Sequence, residues 1–382
     1  FIIITLAILT ALGRWGVRMQ TFTLLGVAVV LWLFWRYRRG EIKHLWWYVP
    51  MFLLWANLHG GFLMGLGVLG LIFVVEGVKW WMHTRYHQIS QYWQATEPTL
   101  KLNQLKHLLW VGLASGAVTL INPYGWKLYQ DFYAVFTNSF AMQHIREWQP
   151  ISIFDTSGQW FLPYLALMIL ILVFTYRKIE PTRIIVTLVL LILALICRRN
   201  LPFFLLISVG FLGEAIDHVI ILITDYLMRC RWLIISITII GFMFTLPKFT
   251  SLLIGAGDVT KISESKNYPL QAVQWAKSHP DKLGSHIYNS YDWGGFLVWQ
   301  FPEQKVFIDG RMSYWQSGDK SIFRDSVSIN GAVAGAIQMM QEKYSVDWVL
   351  TNYDMPLAQV LFDSPDWQLV YNDPVALIYR KK

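Results

Sequence analysis

Residues 20–43 read QTFTLLGVAVVLWLFWRYRRGEIK. A run without charge over 20–35 gives way at once to Arg36, Arg38, Arg39 and Lys43, with Glu41 between them. A helix that crosses a bilayer needs roughly 20 apolar residues, with about 17 to 25 typical. Lysine and arginine collect at the cytoplasmic ends of such helices. The stretch is therefore a membrane span that ends in a basic cytoplasmic loop, and the same alternation continues along residues 1–247.

Apolar runs fall near 1–13, 20–35, 45–57, 61–78, 107–121, 158–176, 184–197, 201–216 and 232–247, which predicts about nine spans. The run at 45–57 is short enough for a partly re-entrant segment. The pattern after 216 suits an amphipathic helix reaching about Met228. The chain opens inside an apolar run at Phe1, without a basic leader or a small-residue cleavage site. We therefore expect a fragment that lacks its true N-terminus, with a truncated first span.

Composition agrees with a polytopic membrane domain. Hydrophobic residues make up 55%, charged residues 15%, and mean hydropathy is +0.40, whereas soluble domains carry about 25% charged residues. These values exclude a disordered, collagen-like or disulfide-framework protein. They also exclude a soluble nucleic-acid binder, despite a pI near 9.3. Of the net charge of +8, the excess lies in residues 1–247, with 19 Lys and Arg against 10 Asp and Glu. Residues 248–382 hold 13 against 14 and read as an ordinary folded domain. Cys197 and Cys230 lack metal-type spacing, and alternation places them on opposite faces of the bilayer, which argues against a disulfide.

Alternation puts four loops on one side, around 36–43, 79–106, 177–183 and 217–231. They carry 13 basic residues against six on the other side: Arg14, Arg18, Lys127, Arg146, Arg198 and Arg199. The richer side is cytoplasmic by the positive-inside rule. The chain is then expected to be a multi-pass protein of the bacterial cytoplasmic (inner) membrane, with everything after Pro247 extracytoplasmic. Trp35, Trp46, Trp47, Trp80, Trp81 and Trp126 lie near the predicted boundaries, as interfacial belts do.

This map collects the unusual polar residues on the outer face: Arg14 and Arg18, Asn57 and His59, Asn122 and Tyr124, Glu147, and Arg198 with Arg199. Each has a plain reading. Asn122-Pro-Tyr-Gly125 is a turn signal, Gly60-Gly61 lets helices approach, and Arg198 and Arg199 can snorkel to head groups. Together they suit a site for a phosphorylated lipid. Arginine pairs phosphate oxygens bidentately, and Glu147 or His59 could move a proton. These two are the catalytic candidates.

Residues 258–382 read as a small α/β domain, with helices near 269–276, 331–343 and 355–362. Strands are expected at 286–288, 296–299, 305–308 and 346–350, followed by a hairpin over 367–371 and 375–380. The pattern predicts a mainly parallel sheet with an antiparallel edge. Asp292-Trp-Gly-Gly295 and Asp309-Gly-Arg311 would then occupy ligand-facing loops. The plainer reading is turn chemistry plus an Asp309–Arg311 ion pair. No HExxH, CxxC pair, GxSxG, P-loop or EF-hand loop occurs. No cofactor is identified, and no motif supports a divalent metal. The span interiors read as almost free of charge, which argues against an ion-coupled transporter.

Many spans, a polar outer loop and a C-terminal extracytoplasmic α/β domain resemble the GT-C class of membrane glycosyltransferases, such as protein mannosyltransferases and lipid A aminoarabinose transferases. The runs Trp55-Ala-Asn-Leu-His-Gly-Gly-Phe62, Asn122-Pro-Tyr-Gly125, Asp292-Trp-Gly-Gly-Phe296 and Phe307-Ile-Asp-Gly-Arg311 look like those of a bacterial GT-C-like family. The resemblance implies transfer of a sugar from a polyprenyl-phosphate donor to a glycan, lipid or protein acceptor at the outer face. It also implies an acidic base in a first outer loop, upstream of Phe1. Arg198, Arg199, Arg14 and Arg18 would hold phosphate, and Asp292, Asp309 and Arg311 would meet the acceptor. The alternative is a non-catalytic lipid or glycan transporter, or an assembly scaffold with a partner-binding outer domain.

Overall fold

The computed structural model describes residues 2–11, 19–86, 99–229, 236, 243, 268–311, 316–317 and 320–382. The contact pattern divides the chain into two units, Phe1–Asp131 with Arg146–Lys248, and Phe132–Ile145 with Phe249–Lys382.

The first unit is helical. Its described helices are Ile2–Thr10, Gln20–Arg38, Tyr48–Leu58, Phe62–Arg85, Leu102–Val118, Thr156–Thr175, Pro181–Ile196 and Leu201–Arg229, and Lys127–Thr137 begins in it. Three described helices are long and apolar enough to cross a membrane: Gln20–Arg38, Phe62–Arg85 and Ser157–Thr175. Tyr48–Leu58 and Pro181–Ile196 are apolar but shorter. At 1.5 Å per residue the 11-residue helix Tyr48–Leu58 extends only about 16 Å, in keeping with the short run read there. The helix from Leu201 continues to Arg229, as its amphipathic pattern suggests. The expected span at 232–247 lies outside the described residues apart from 236 and 243.

These helices pack through small residues. The Trp55 ring fits against Gly26 of one neighbouring helix and Gly65 of the other, so closely that a Cβ at either glycine would collide with it. Phe52 stacks on the same indole at 5.4 Å. Helix Tyr48–Leu58 is thereby pinned between the two flanking helices, and its C-terminal end is fixed in place.

The second unit is built on a four-stranded sheet of order β1-β4-β6-β5, with β1 Ile287–Asn289, β4 Trp348–Thr351, β5 Trp367–Asn372 and β6 Leu377–Lys381. A separate two-stranded pair joins β2 Gln316–Ser317 to β3 Lys320–Ser321. Both faces of the sheet are covered. Ile287, Trp348, Leu350 and Ile378 pack under the helices Leu270–Ser278 and Tyr291–Gln300. Tyr288, Val349, Leu377 and Tyr379 pack under Ile329, Leu357 and Leu361 from the helices Ile322–Asn330 and Pro356–Asp363. Period-two alternation along β4 thus supplies both layers, and all four of its residues are buried.

Several local expectations change. Among the described strands of this sheet only β1 and β4 pair in parallel, while β4–β6 and β5–β6 are antiparallel, so the sheet is mixed rather than mainly parallel. The hairpin and the strands near 287 and 348 are present. The residues 292–299, read as a turn followed by a strand, form one helix, Tyr291–Gln300. Their buried positions, Trp293, Phe296 and Leu297, recur at helical rather than alternate spacing. Residues 305–308 are an irregular segment rather than a strand. Helix Ile322–Asn330 precedes the expected 331–343 region, which holds only Ala336–Gln338 and a π turn over Met339–Lys343. Residues 132–145 join this unit because Phe140 packs on Phe323 at 5.8 Å and under Arg324 at 5.0 Å.

Candidate functional site

In the first unit, helix ends fall into two sets. One set joins the residues that alternation places outside. Helix Gln20–Arg38 starts there and helix Tyr48–Leu58 ends there, with His59 as its extended C-cap residue. Thr23 Oγ1 lies 2.7 Å from His59 Nδ1, and the Gly61 N–H donates to the same nitrogen at 3.2 Å. A backbone N–H can only donate, so Nδ1 is unprotonated and the neutral ring carries its hydrogen on Nε2. Burial, then the charge of Arg199, lowers the His59 pKa from its ordinary value. A side chain at Gly61 would collide with Thr23, so the glycine allows this approach.

Arg199 joins the same set. With its amide oxygen turned toward the loop, Gln20 accepts from Arg199 Nε at 2.8 Å and from Nη2 at 3.3 Å. The neighbouring Arg198 behaves differently. It is 7% exposed, and its guanidinium donates to Asp155 at 2.5 Å and to the Pro150 carbonyl at 2.9 Å. Arg146 donates to the other Asp155 oxygen at 2.9 Å. The Arg146 hydrogen bond, with the charge of Arg198, holds the Asp155 carboxyl below the usual carboxylate range despite partial desolvation. Arg198 therefore clamps the 146–155 loop. Glu147, half-buried in the turn Arg146–Trp148, offers its carbonyl to the Cys197 thiol at 3.7 Å.

The other predicted outer residues mainly organise the chain. Asn57 donates to the Leu53 and Ile121 carbonyls at 2.8 and 2.9 Å. Asn122 donates to the Thr119 carbonyl at 2.8 Å and accepts from the Tyr124 N–H at 2.8 Å, the hydrogen bonding of an Asx turn. Tyr124 is exposed. Arg14 and Arg18 lie outside the described residues.

In the second unit, Asp292 is exposed in the first turn of its helix, where an acid suits the helix dipole. Asp309 is buried and accepts from Arg311 at its N–H (2.8 Å), Nε (3.0 Å) and Nη2 (2.5 Å). These bonds hold the Asp309 carboxyl below its usual range. The two motifs are packed together. Gly294 sits against Ile308 and Asp309, where a Cβ would collide with the Ile308 carbonyl, and Tyr291 Oη donates to the Gly310 carbonyl at 3.3 Å. Buried Asn289 fixes the same loop by donating to the Ile308 carbonyl and accepting from the Phe307 N–H.

The second set of helix ends holds a charge cluster that pattern reading misses. Glu76, inside helix Phe62–Arg85, is fully buried. It accepts from Arg38, from Lys79 at 3.1 Å and from Thr182 Oγ1 at 2.5 Å. Glu180 caps helix Pro181–Ile196 through the Thr182 N–H at 2.7 Å, and pairs with Arg38 at 2.8 Å and with Lys79. Burial alone would raise the Glu180 pKa, but Arg38 and Lys79 more than reverse this and lower it. Against the reading of span interiors as almost free of charge, Glu76 is the exception here, near the end of the expected span 61–78, while Arg38, Lys79 and Glu180 belong to the expected loops. A carboxylate within an otherwise apolar helix is the available signal, and two of its partners, Arg38 and Thr182, lie 38 and 106 residues away along the chain. Among the described residues, no three His, Cys, Asp or Glu side chains converge as a metal site.

The chain matches no protein-family model, and no curated protein matches it at a significant level.

Proposed function

We propose that the chain belongs to a GT-C-type membrane glycosyltransferase. It would move a sugar from a polyprenyl-phosphate donor to an acceptor hydroxyl on the extracytoplasmic face of the bacterial inner membrane. The observation that carries this reading is the grouping of Arg199, Gln20, Thr23 and neutral His59 at the helix ends opposite the basic loops. Arg199 would bind the donor phosphate, and His59 Nε2–H would donate a hydrogen bond to it. In the reaction the acceptor oxygen bonds to the anomeric carbon and the carbon–phosphate-oxygen bond breaks. The acceptor proton passes to a carboxylate, for which Glu147 is the described candidate, and the lipid phosphate leaves as an anion stabilised by Arg199. The reading includes about nine spans and an outer α/β unit whose Asp292 and Asp309–Arg311 edge meets the acceptor.

The test reconstitutes the full-length protein with labelled polyprenyl-phosphate sugar. Donor binding that is lost in Arg199→Ala and retained in Arg146→Ala supports the reading. Unchanged binding in Arg199→Ala overturns the phosphate assignment. A C-terminal reporter active only in the cytosol checks the orientation, and signal from it would invert the map.

One observation favours the second reading, a non-catalytic transporter or scaffold. Arg198, Asn57, Asn122 and Asp309 all spend polar atoms on bonds within the chain itself. A correctly folded full-length protein that binds donor yet transfers no sugar would favour it.

A further inference from the structure

Helix Lys127–Thr137 has no fully buried residue, although about half of its circumference is apolar. The carbonyl of Trp126 accepts its first helical hydrogen bonds, from the Tyr129 and Gln130 N–H groups. From Trp126 onward, Tyr129, Tyr133 and Phe136 follow at spacings of three, four and three residues, which sets all four on one side. Trp126 is 65% exposed, Tyr133 73% and Phe136 62%. Leu128, Phe132 and Val135 on the adjoining arc are half-buried, and Lys127, Gln130 and Asp131 are exposed on the polar side. The packing of the chain therefore leaves three large rings of one helix face in the open. Contiguous exposed apolar surface of this kind marks an interaction site.

The position of the helix selects what covers that face. Leu109, Trp110 and Leu113 of helix Leu102–Val118, then Leu120 and Ile121, are all exposed and carry apolar surface up to the turn at 122–125. In a bilayer these side chains meet hydrocarbon. The turn is held firmly to the helix that follows it. Asn122 closes its Asx turn, and Asn57 donates to the Ile121 carbonyl. The buried Thr119 hydroxyl hydrogen-bonds the Tyr129 hydroxyl, and Trp126 stacks on Tyr129 at 5.4 Å. The aromatic face thus begins where the lipid-facing surface ends, at head-group depth. Tryptophan and tyrosine rings favour that depth, being apolar in body with one polar edge. Lys127 and Asp131 are the only charged residues of the helix and cancel, so apolar insertion rather than attraction to anionic lipid would hold it.

We propose that Trp126, Tyr133 and Phe136 insert into the head-group region of the extracytoplasmic leaflet and lay helix Lys127–Thr137 along the membrane surface. The proposal rests on the membrane assignment above and is independent of the transfer reaction.

The test places a nitroxide label at Tyr133→Cys, Phe136→Cys or Gln130→Cys in the full chain carrying Cys197→Ser and Cys230→Ser, reconstituted in phosphatidylcholine nanodiscs. Power-saturation EPR compares collisions with oxygen, which enters lipid, and with a water-soluble nickel chelate. Labels at 133 and 136 are expected to favour oxygen and to meet nickel roughly five- to tenfold less often than the label at 130. Equal nickel access at all three positions would overturn the proposal. Low access to both reagents at 133 and 136 would reveal a protein cover, such as a second copy of the chain, and would overturn it too. The three labelled chains should also melt together in detergent, since none of the replaced side chains is buried. A drop confined to Tyr133→Cys or Phe136→Cys would assign those rings to the chain's own packing and refute the insertion. A chain that does not enter nanodiscs at all would refute the membrane assignment itself.

Discussion

The Arg198 guanidinium lies 2.5 Å from the Asp155 carboxylate, so an arginine that sequence logic assigns to phosphate is already committed to the chain's own loop. Its neighbour Arg199 differs, being held by the neutral amide of Gln20. The two adjacent arginines should therefore separate experimentally. Arg199→Ala is expected to weaken donor binding about ten- to a hundredfold, the range for a hydrogen bond to a charged group, with little change in melting temperature. Arg198→Ala is expected to lower the melting temperature and to weaken binding only through loosening of the loop. Paired calorimetric melts and donor titrations decide this, and equal effects of the two variants on stability would contradict it.

Glu76 is fully buried between Arg38, Lys79 and Thr182. Removing one partner of a buried ion pair typically costs about 3–5 kcal/mol, because the other charge stays buried without compensation. Glu76→Leu is expected to fall at or below the lower end of that range, because Glu180 still pairs with Arg38 and Lys79. Glu76→Leu combined with Arg38→Met should be less damaging than the sum of the two single changes, since Glu180 and Lys79 still pair. Thermal unfolding in detergent, followed by circular dichroism, measures both.

Gly294 packs directly on the Ile308 carbonyl, whereas the nearest atom to a Cβ at Gly310 is 3.8 Å away. Overpacking of this kind costs about 1–3 kcal/mol. Gly294→Ala should accordingly speed proteolysis of the full chain within 285–311, and Gly310→Ala should change it far less.

His59 has a folded pKa below its ordinary value. Between the folded value and the unfolded value of about 6.5, the unfolded chain binds the proton more readily, so stability falls as pH drops through that window. Asp155, Asp309 and Glu180 are depressed carboxylates. Their contribution is present above the unfolded carboxylate range of about 4 and is lost on further acidification. His59→Gln should flatten the melting-temperature slope just below pH 6.5 and leave the steeper loss near pH 4 in place. An unchanged upper slope would show that His59 is not neutral in the folded chain.

What could be read from sequence follows the periodicities. Apolar length marks the helices Gln20–Arg38 and Phe62–Arg85, and the short, almost wholly apolar run at 346–350 marks the buried strand β4. Residues 292–299 carry a turn signal in Gly294 and Gly295, whereas in the fold Gly294 serves the close passage of the 308–309 backbone. Among the site residues, His59 and Arg199 stood out as unusual at a span boundary. Thr23 and Gln20 did not, since a threonine and a glutamine at the start of an apolar run carry no signal until their partners arrive.

By itself, then, the sequence determined that residues 1–247 are built mainly from apolar helices with basic connections, because hydropathy and charge are local properties summed along the chain. It also determined that the remainder mixes strands and helices. Only the tertiary structure decided which polar groups are spent on the fold. Asp155 takes Arg198 across 43 residues, and Glu76 takes Thr182 across 106. Pairings at that separation depend on how the helices pack, and packing is fixed by close contacts such as Trp55 against Gly26 and Gly65, which no local pattern encodes.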